Sequence, residues 1–190
     1  GSGTACTITV CEDSDTIGDS MVYADTSTVC VGGSLSARAI CSSDSNNNIK
    51  YGNGALNAVT TGSNNVGIGL TALTNNTTGV ENSAIGLKAL CSNTTGSNNA
   101  AIGRNALLYN TTGNNNAAIG REALCGNTTG CDNVAIGLCS MRYNTTGSNN
   151  TAVGKFSGRA IDSGSFNTAL GYLALGKDQC AITGGCNVGI

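Results

Sequence analysis

The chain has 190 residues, a formal net charge of −2, only seven aromatic residues (five Tyr and two Phe) and no histidine. So few aromatic residues argue against one large globular core, and the weak charge without a basic stripe argues against nucleic-acid binding. Without histidine the commonest general base is missing, so we predict a protein that is not an enzyme and holds no cofactor or metal. No segment is long and apolar enough to span a membrane.

Residues 1–41 differ from the rest of the chain. Alternating apolar and polar residues at Thr7–Val10 and Met21–Tyr23 predict short strands, and four cysteines accompany them. We interpret residues 1–41 as a small disulfide-tied β cap or assembly segment. Residues 42–190 are then a separate repeat domain.

An acidic stretch inside this first segment partly matches a calcium-binding loop. Asp13, Asp15, Gly18 and Asp19 have roughly the spacing of calcium ligands. However, Ile17 occupies a ligand position and no glutamate closes the loop. The preferred interpretation is a solvated acidic turn.

A 17-residue repeat fills most of the remaining chain. Each unit follows roughly G-x-x-N-x-A-I-G-x-x-A-L, and most units end in N-T-T. A period this short describes one coil of a stacked array, because neighbouring coils must complete its core. We predict an all-β fold, a parallel β-solenoid or β-roll of about eight coils, in which x-A-I-G is a strand and N-T-T-G a turn.

The repeat places equivalent residues in columns along the stack. The asparagine three residues before the branched apolar residue is predicted to bond through its amide from coil to coil. The branched apolar column, called here the isoleucine column, is predicted to point into the core. Its members are Ile68, Ile85, Ile102, Ile119, Ile136, Val153 and Leu170.

The Ala-Leu pair of each unit is ambiguous. Adjacent residues of a strand point to opposite faces, so two adjacent apolar columns do not fit a strand with one wet face. Either this limb is a short helical turn, or one column meets another chain. A decayed coil near Asn48 precedes the array, and a partial coil at Asn187–Ile190 follows a three-residue insertion.

The ten cysteines form an even set, and without histidine zinc loses its commonest partner ligand. We therefore predict disulfides and a secreted or surface location, with buried reduced thiols as the alternative. Local pairs such as Cys6–Cys11, Cys125–Cys131 and Cys180–Cys186 are plausible. The full set is Cys6, Cys11, Cys30, Cys41, Cys91, Cys125, Cys131, Cys139, Cys180 and Cys186.

Sequons for N-glycosylation recur in register with the repeat. They predict a row of glycans along one edge, although N-T-T is also good turn chemistry that a repeated coil would repeat. The in-register sequons begin at Asn76, Asn93, Asn110, Asn127 and Asn144, with extra sites at Asn75 and Asn149. One limb carries cations, interpreted as a solvated face, at Lys88, Arg104, Arg121, Arg142 and Lys155.

The N-x-A-I-G-x-x-A core resembles the head repeats of trimeric autotransporter adhesins, which form a left-handed parallel β-roll and trimerise. The longer T-T-G-x-x-N-x-A-I-G-x-x-A-L form is similar to repeats in tail-fibre-like proteins of phages, viruses and bacteria. The match covers roughly Asn48 to Ile190. It implies an architecture more than an activity.

Two functions follow as hypotheses. The first is a structural subunit of an extracellular fibre, glycosylated and assembled head to tail with copies of itself, because an unpaired ladder at Asn187–Ile190 invites the next copy. The alternative is a trimeric adhesin or tail-fibre head that binds a cell-surface receptor or glycan. Both place the protein outside the cell or on a virion surface.

Overall fold

The computed structural model of the protein describes residues 46–176 and 182–190, and the backbone of residues 22–24 and 29–31. The chain divides into two units, Gly1–Ile40 and Cys41–Ile190. In the first unit β1 (Val22–Ala24) pairs with β2 (Val29–Val31) in antiparallel register. The predicted calcium-loop match and the predicted disulfide at Cys6 and Cys11 lie outside the described residues.

The second unit is a parallel β-solenoid, as the repeat predicts. Each coil contributes one short strand to a nine-stranded sheet whose order follows the chain from β3 to β11. Partner residues in the pairs from β3 to β10 are 17 apart, so Ile85, Ile102 and Ile119 stack as neighbours. The described residues contain no helix. The strands are β3 (Ile49–Tyr51), β4 (Val66–Ile68), β5 (Ser83–Ile85), β6 (Ala100–Ile102), β7 (Ala117–Ile119), β8 (Val134–Ile136), β9 (Thr151–Val153), β10 (Thr168–Leu170) and β11 (Val188–Gly189).

The core is built from small side chains of the strand and from the Ala-Leu pair. The central strand residue points inward and is fully buried, as at Ala84, Ala101 and Ala118. Both members of the Ala-Leu pair are also fully buried, as at Ala106 and Leu107. Neither sequence interpretation of this pair is correct, since the limb is not helical and both columns lie in the core of their own chain.

A left-handed backbone explains how two adjacent side chains can both point inward. Leu107 has φ of 49°, and the residue two before it, Asn105, has φ of 58°. An L-residue with a bulky side chain rarely adopts this region, so burial of the leucine must compensate for the strain. The leucine column comprises Leu56, Leu73, Leu90, Leu107, Leu124, Met141 and Leu175.

The isoleucine column points outward, and the prediction that it forms the core is wrong. Strand residues alternate between two faces. Because the alanine at the strand centre points inward, the residues on either side must point outward. Ile102 and Ile119 are each 42% exposed, and Ile68 is partly buried.

A glycine follows each isoleucine because two coils approach closely there. Gly103 has φ of 135°, and a methyl group on its Cα would lie 2.5 Å from the carbonyl oxygen of Gly120 on the next coil. Neither the backbone conformation nor the spacing admits a side chain. This column therefore fixes the closeness of the coils at the end of every strand.

Buried asparagines bond from coil to coil, as predicted. Asn99 Nδ2 donates to Asn82 Oδ1 at 3.1 Å and to the carbonyl oxygen of Gly113 at 2.8 Å. In turn Asn99 Oδ1 accepts from the backbone N and from Nδ2 of Asn116. All four hydrogen-bonding positions of the side-chain amide are used, which is what a fully buried polar group requires.

One coil departs from the repeat and still fills the core. Gly158 occupies the leucine column with φ of 60°, and Ile161 occupies the column that holds asparagine in earlier coils. Ile161 is fully buried, and a methyl group on Gly158 would lie 3.2 Å from its Cδ1. The isoleucine therefore takes the space of the missing leucine. In two successive coils serine replaces the alanine of the Ala-Leu pair. The hydroxyl groups of these residues, Ser140 and Ser157, form a hydrogen bond to each other at 3.0 Å.

Candidate self-association surface

The outer face of the solenoid sheet is the most distinctive surface of the described chain. Each strand from β3 to β10 presents its first and last residue outward, and none of these residues carries a charge. One column is the isoleucine column, extended at its start by Tyr51. The other column, two residues earlier in each strand, comprises Ile49, Val66, Ser83, Ala100, Ala117, Val134, Thr151 and Thr168.

This outer face is apolar along the stack. Ile85, Ile102, Ile119 and Ile136 are between 38% and 42% exposed, although large branched side chains gain most from burial. The earlier column adds alanine, valine, serine and threonine, whose small side chains keep the face shallow. A continuous apolar strip of this kind marks a contact surface, because isolated exposed apolar residues would be scattered.

Sequence reasoning missed the second column of the outer face. The signal was available in the alternation of each strand, because the inward alanine at Ala101 requires both Ala100 and Ile102 to face outward. The inward alanine itself lines the core.

The predicted cationic limb lies apart from the outer face, at the turn that carries the leucine column. Glu122 lies 3.3 Å from Arg142 and 3.4 Å from Arg121. Arg142 lies over the ring of Tyr143, and Lys155 lies over the ring of Phe156, at 5.6 and 5.1 Å from the centroids. Lys88 and Arg104 are exposed.

The in-register sequon asparagines are buried, so the predicted glycan row at these positions is wrong. Asn110 Nδ2, the atom that a glycan would occupy, donates to Asn93 Oδ1 at 2.8 Å and to the carbonyl oxygen of Gly113 at 3.0 Å. A sugar there would break both bonds and could not fit in the core. The fully buried acceptors are Asn76, Asn93, Asn110, Asn127 and Asn144. The extra sequon positions Asn75 and Asn149 are exposed.

The predicted disulfides are not formed among the described cysteines. Cys91, Cys125, Cys131, Cys139 and Cys186 are free thiols, so the suggested Cys125–Cys131 pair is wrong. Each occupies a column position that other residue types fill in other coils. Cys30 lies in β2 with only its backbone described, and Cys41 and Cys180 lie outside the described residues.

Two of these thiols are buried beside a carboxylate. Burial raises the pKa of the Cys125 thiol, and the negative charge of Glu122 raises it further. Burial and Glu122 also raise the pKa of Cys139, whose Sγ lies 3.6 Å from Glu122 Oε2. Protonated thiols are poor nucleophiles and poor metal ligands, so this pair is chemically quiet at neutral pH.

Among the described residues, no three His, Cys, Asp or Glu side chains lie close enough together to hold a metal ion. No helix in that part of the chain is long and apolar enough to cross a membrane.

No protein-family model, no curated protein and no solved structure matches the chain.

Proposed function

We propose that this chain is a structural, non-catalytic subunit of an extracellular fibre and that it works by associating with copies of itself through the outer face. The observation that carries the proposal is the uncharged apolar strip along the strands. The location outside the cell follows from the resemblance of the repeats to adhesin and tail-fibre repeats. The free thiols of the described cysteines give no support for an extracellular location.

The parallel sheet itself favours a covered outer face. In α/β proteins, parallel strands that are apolar on both sides belong to sheets whose two faces are both covered. Here the inner face packs on the leucine column, and the outer face carries isoleucine instead of the charged residues expected for a wet surface. An outer face with this composition needs a partner.

A second copy of the chain is the partner that fits best. Stacked coils repeat about every 4.8 Å, so the isoleucine side chains form a row of ridges with that spacing. An identical chain lying alongside presents the same row with the same spacing along the whole stack. A partner without this period could match only one or two coils.

Association along the axis belongs to the same proposal. Successive coils of one chain pair through parallel backbone ladders, and the same pairing can continue from one copy into the next. Side-by-side packing joins chains into a bundle, and end-to-end pairing lengthens it. The resemblance to adhesin heads implies three chains in the bundle.

Sedimentation velocity tests the side-by-side contact. We expect the unsubstituted protein to form side-by-side oligomers and the double variant Ile102→Lys, Ile119→Lys to lose them, because a lysine ammonium cannot be buried in an apolar contact without a partner. Circular dichroism should show that the variant stays folded, since both side chains already face outward.

The matched control is Leu87→Lys with Leu138→Lys. These leucines are partly buried and share a column with Arg121 and Lys155, so the fold already accepts a long cation there. The control removes similar apolar area and adds the same charge away from the outer face. A monomeric unsubstituted protein, or equal loss of association in both variants, would contradict the proposal.

A further inference from the structure

The turn motif N-T-T-G contains one residue that the fold does not explain. The asparagine belongs to the buried amide bonds, as at Asn110. The first threonine bonds to the next coil, since Thr94 Oγ1 donates to the carbonyl oxygen of Thr111 at 3.1 Å. At Gly113 a side chain would collide with the carbonyl oxygen of Gly130. Only the second threonine remains.

The second threonine of each turn is exposed. Thr95 and Thr112 both lie in the solvent-facing part of the turn, whereas their neighbours Thr94 and Thr111 are partly buried. The hydroxyl of the second threonine makes no hydrogen bond to protein in any of these turns, in contrast to the hydroxyl of the first. Its removal would leave no buried group unsatisfied.

A hydroxyl is nevertheless present in every coil at this position, here called the hydroxyl column. The position is exposed in all of them, including the coil after the three-residue insertion. Its members are Thr61, Thr78, Thr95, Thr112, Thr129, Thr146, Ser163 and Thr183.

Other exposed columns of the same repeat have diverged. The column through Arg104 holds leucine at Leu87, lysine at Lys155 and tyrosine at Tyr172. The residue before the buried asparagine is asparagine, glutamate, aspartate or phenylalanine. The hydroxyl column has therefore not been retained simply because the coils are copies of one another.

Backbone preference does not explain the hydroxyl column either. A preference for an extended, branched residue would be met by valine or isoleucine, which never occur there. Ser163 lacks the branch and keeps the hydroxyl. The common chemical feature is an accessible hydroxyl oxygen, free of protein partners, once per coil.

We propose that the hydroxyl column is a row of O-glycosylation sites, one per coil, on the native fibre. This inference rests on the extracellular part of the proposed function. A glycosyltransferase would join each hydroxyl oxygen to the anomeric carbon of a nucleotide-activated or lipid-phosphate-activated sugar. The new C–O bond forms as the sugar–phosphate bond breaks; the phosphate leaves with the bonding electrons and the hydroxyl proton passes to a base of that enzyme.

The geometry suits a glycan coat. Successive hydroxyls stand about one coil spacing apart, roughly 4.8 Å, on a turn that is not part of the outer face. The sugars would cover one side of the solenoid and leave the isoleucine column free for self-association. The sequon row cannot provide such a coat, because its amide nitrogens are bonded in the core.

Site-resolved mass spectrometry of the full-length protein from its native source tests this proposal. Peptides that cover Asn93–Gly96 and Asn110–Gly113 should carry sugar masses on Thr95 and Thr112, and none on Thr94 and Thr111. The first threonine is an internal control, because it shares the sequence context and differs only in exposure and bonding. Unmodified threonine at both positions, or equal modification of both, overturns the proposal.

The outcome is separable from the test of self-association. Thr95→Val with Thr112→Val, expressed in the native host, should lose the sugar masses at the two substituted positions and keep the sedimentation of the unsubstituted protein. If the unsubstituted protein is a monomer yet carries these sugars, the proposed function fails and this inference stands. If the valine variant keeps the full sugar mass, the inference fails.

Discussion

The leucine column and the isoleucine column run in parallel along the same stack, but only the first is covered by its own chain. Leu107 is fully buried, whereas Ile102, five residues earlier in the same coil, is 42% exposed. Both columns repeat every 17 residues, and both hold a large apolar side chain in most coils. Periodicity identifies which residues stack, and the local backbone decides which way they point.

The backbone at each corner makes the difference. In the strand the side chains alternate, so an inward alanine forces its isoleucine neighbour outward. At the Ala-Leu pair the left-handed backbone of Leu107 breaks this alternation, and Ala106 and Leu107 both point inward. The isoleucine column is then free to serve contacts between chains.

The largest expected effect distinguishes the two columns directly. Leu107→Ala should lower the free energy of unfolding by about 2–5 kcal/mol, because it leaves a cavity among fully buried neighbours. Ile102→Ala should cost only about 1 kcal/mol in the monomer, since Ile102 is already 42% exposed to water. Urea unfolding at a concentration below association measures both, and equal losses would remove the distinction between the columns.

The next prediction compares an inner with an outer asparagine. Asn99→Ala leaves the carbonyl of Gly113 and the amide of Asn116 short of partners, and each buried unsatisfied group costs about 1–3 kcal/mol. Its neighbour Asn98 is exposed, so Asn98→Ala should cost only about 1–2 kcal/mol, because alanine tolerates the left-handed backbone there less well than asparagine. Thermal unfolding of the two single variants should rank them in this order; a reversal would contradict the role of the buried amides.

A third prediction concerns the coil in which Gly158 and Ile161 depart from the repeat. Gly158→Leu alone should destabilise, because its Cβ would lie 2.8 Å from Met141 Cγ with Ile161 still in place. Ile161→Asn alone empties part of the core but offers a partner to Asn144 Oδ1, which has none among the described groups. The double variant restores the regular pair.

A double-mutant cycle measures whether Gly158 and Ile161 compensate for each other. We expect the double variant to be more stable than the sum of the single losses by about 0.5–3 kcal/mol, the usual range for residues in contact. Additive losses would mean that the two substitutions are independent.

The smallest expected effect is the pH dependence of the buried thiols. Because the folded pKa of Cys125 and Cys139 lies above the ordinary 9.0, the folded state holds these protons after the unfolded state has lost them. Stability should therefore be unaffected well below pH 9 and should fall as pH rises from 9 towards the folded pKa. Unfolding under reducing conditions between pH 8 and 10.5 should show a steeper decline than in the variant Cys125→Ala, Cys139→Ala.

Sequence alone predicts the period, the parallel register and the hydrogen bonds between asparagine amides, because each follows from identical residues that recur every 17 positions. It failed where direction depended on backbone rotation, as at Leu107 and Ile102. The sequon interpretation of Asn110 failed for a related reason, since local sequence does not show that the side chain is buried. The cysteines were assigned from their even count, but Cys125 and Cys131 occupy unrelated columns and are free.

The most direct test of the account is the accessibility of isoleucine methyl groups in the associated protein. Methyl-labelled NMR with a soluble paramagnetic agent would compare Ile85, Ile102, Ile119 and Ile136 with the surface leucine Leu70. We expect the isoleucine methyls to be protected in the oligomer. In the Ile102→Lys, Ile119→Lys variant the methyls of Ile85 and Ile136 should be broadened, and those of Leu70 should be broadened in both proteins. Isoleucine methyls that broaden equally in oligomer and monomer would show that the outer face is not the contact between chains.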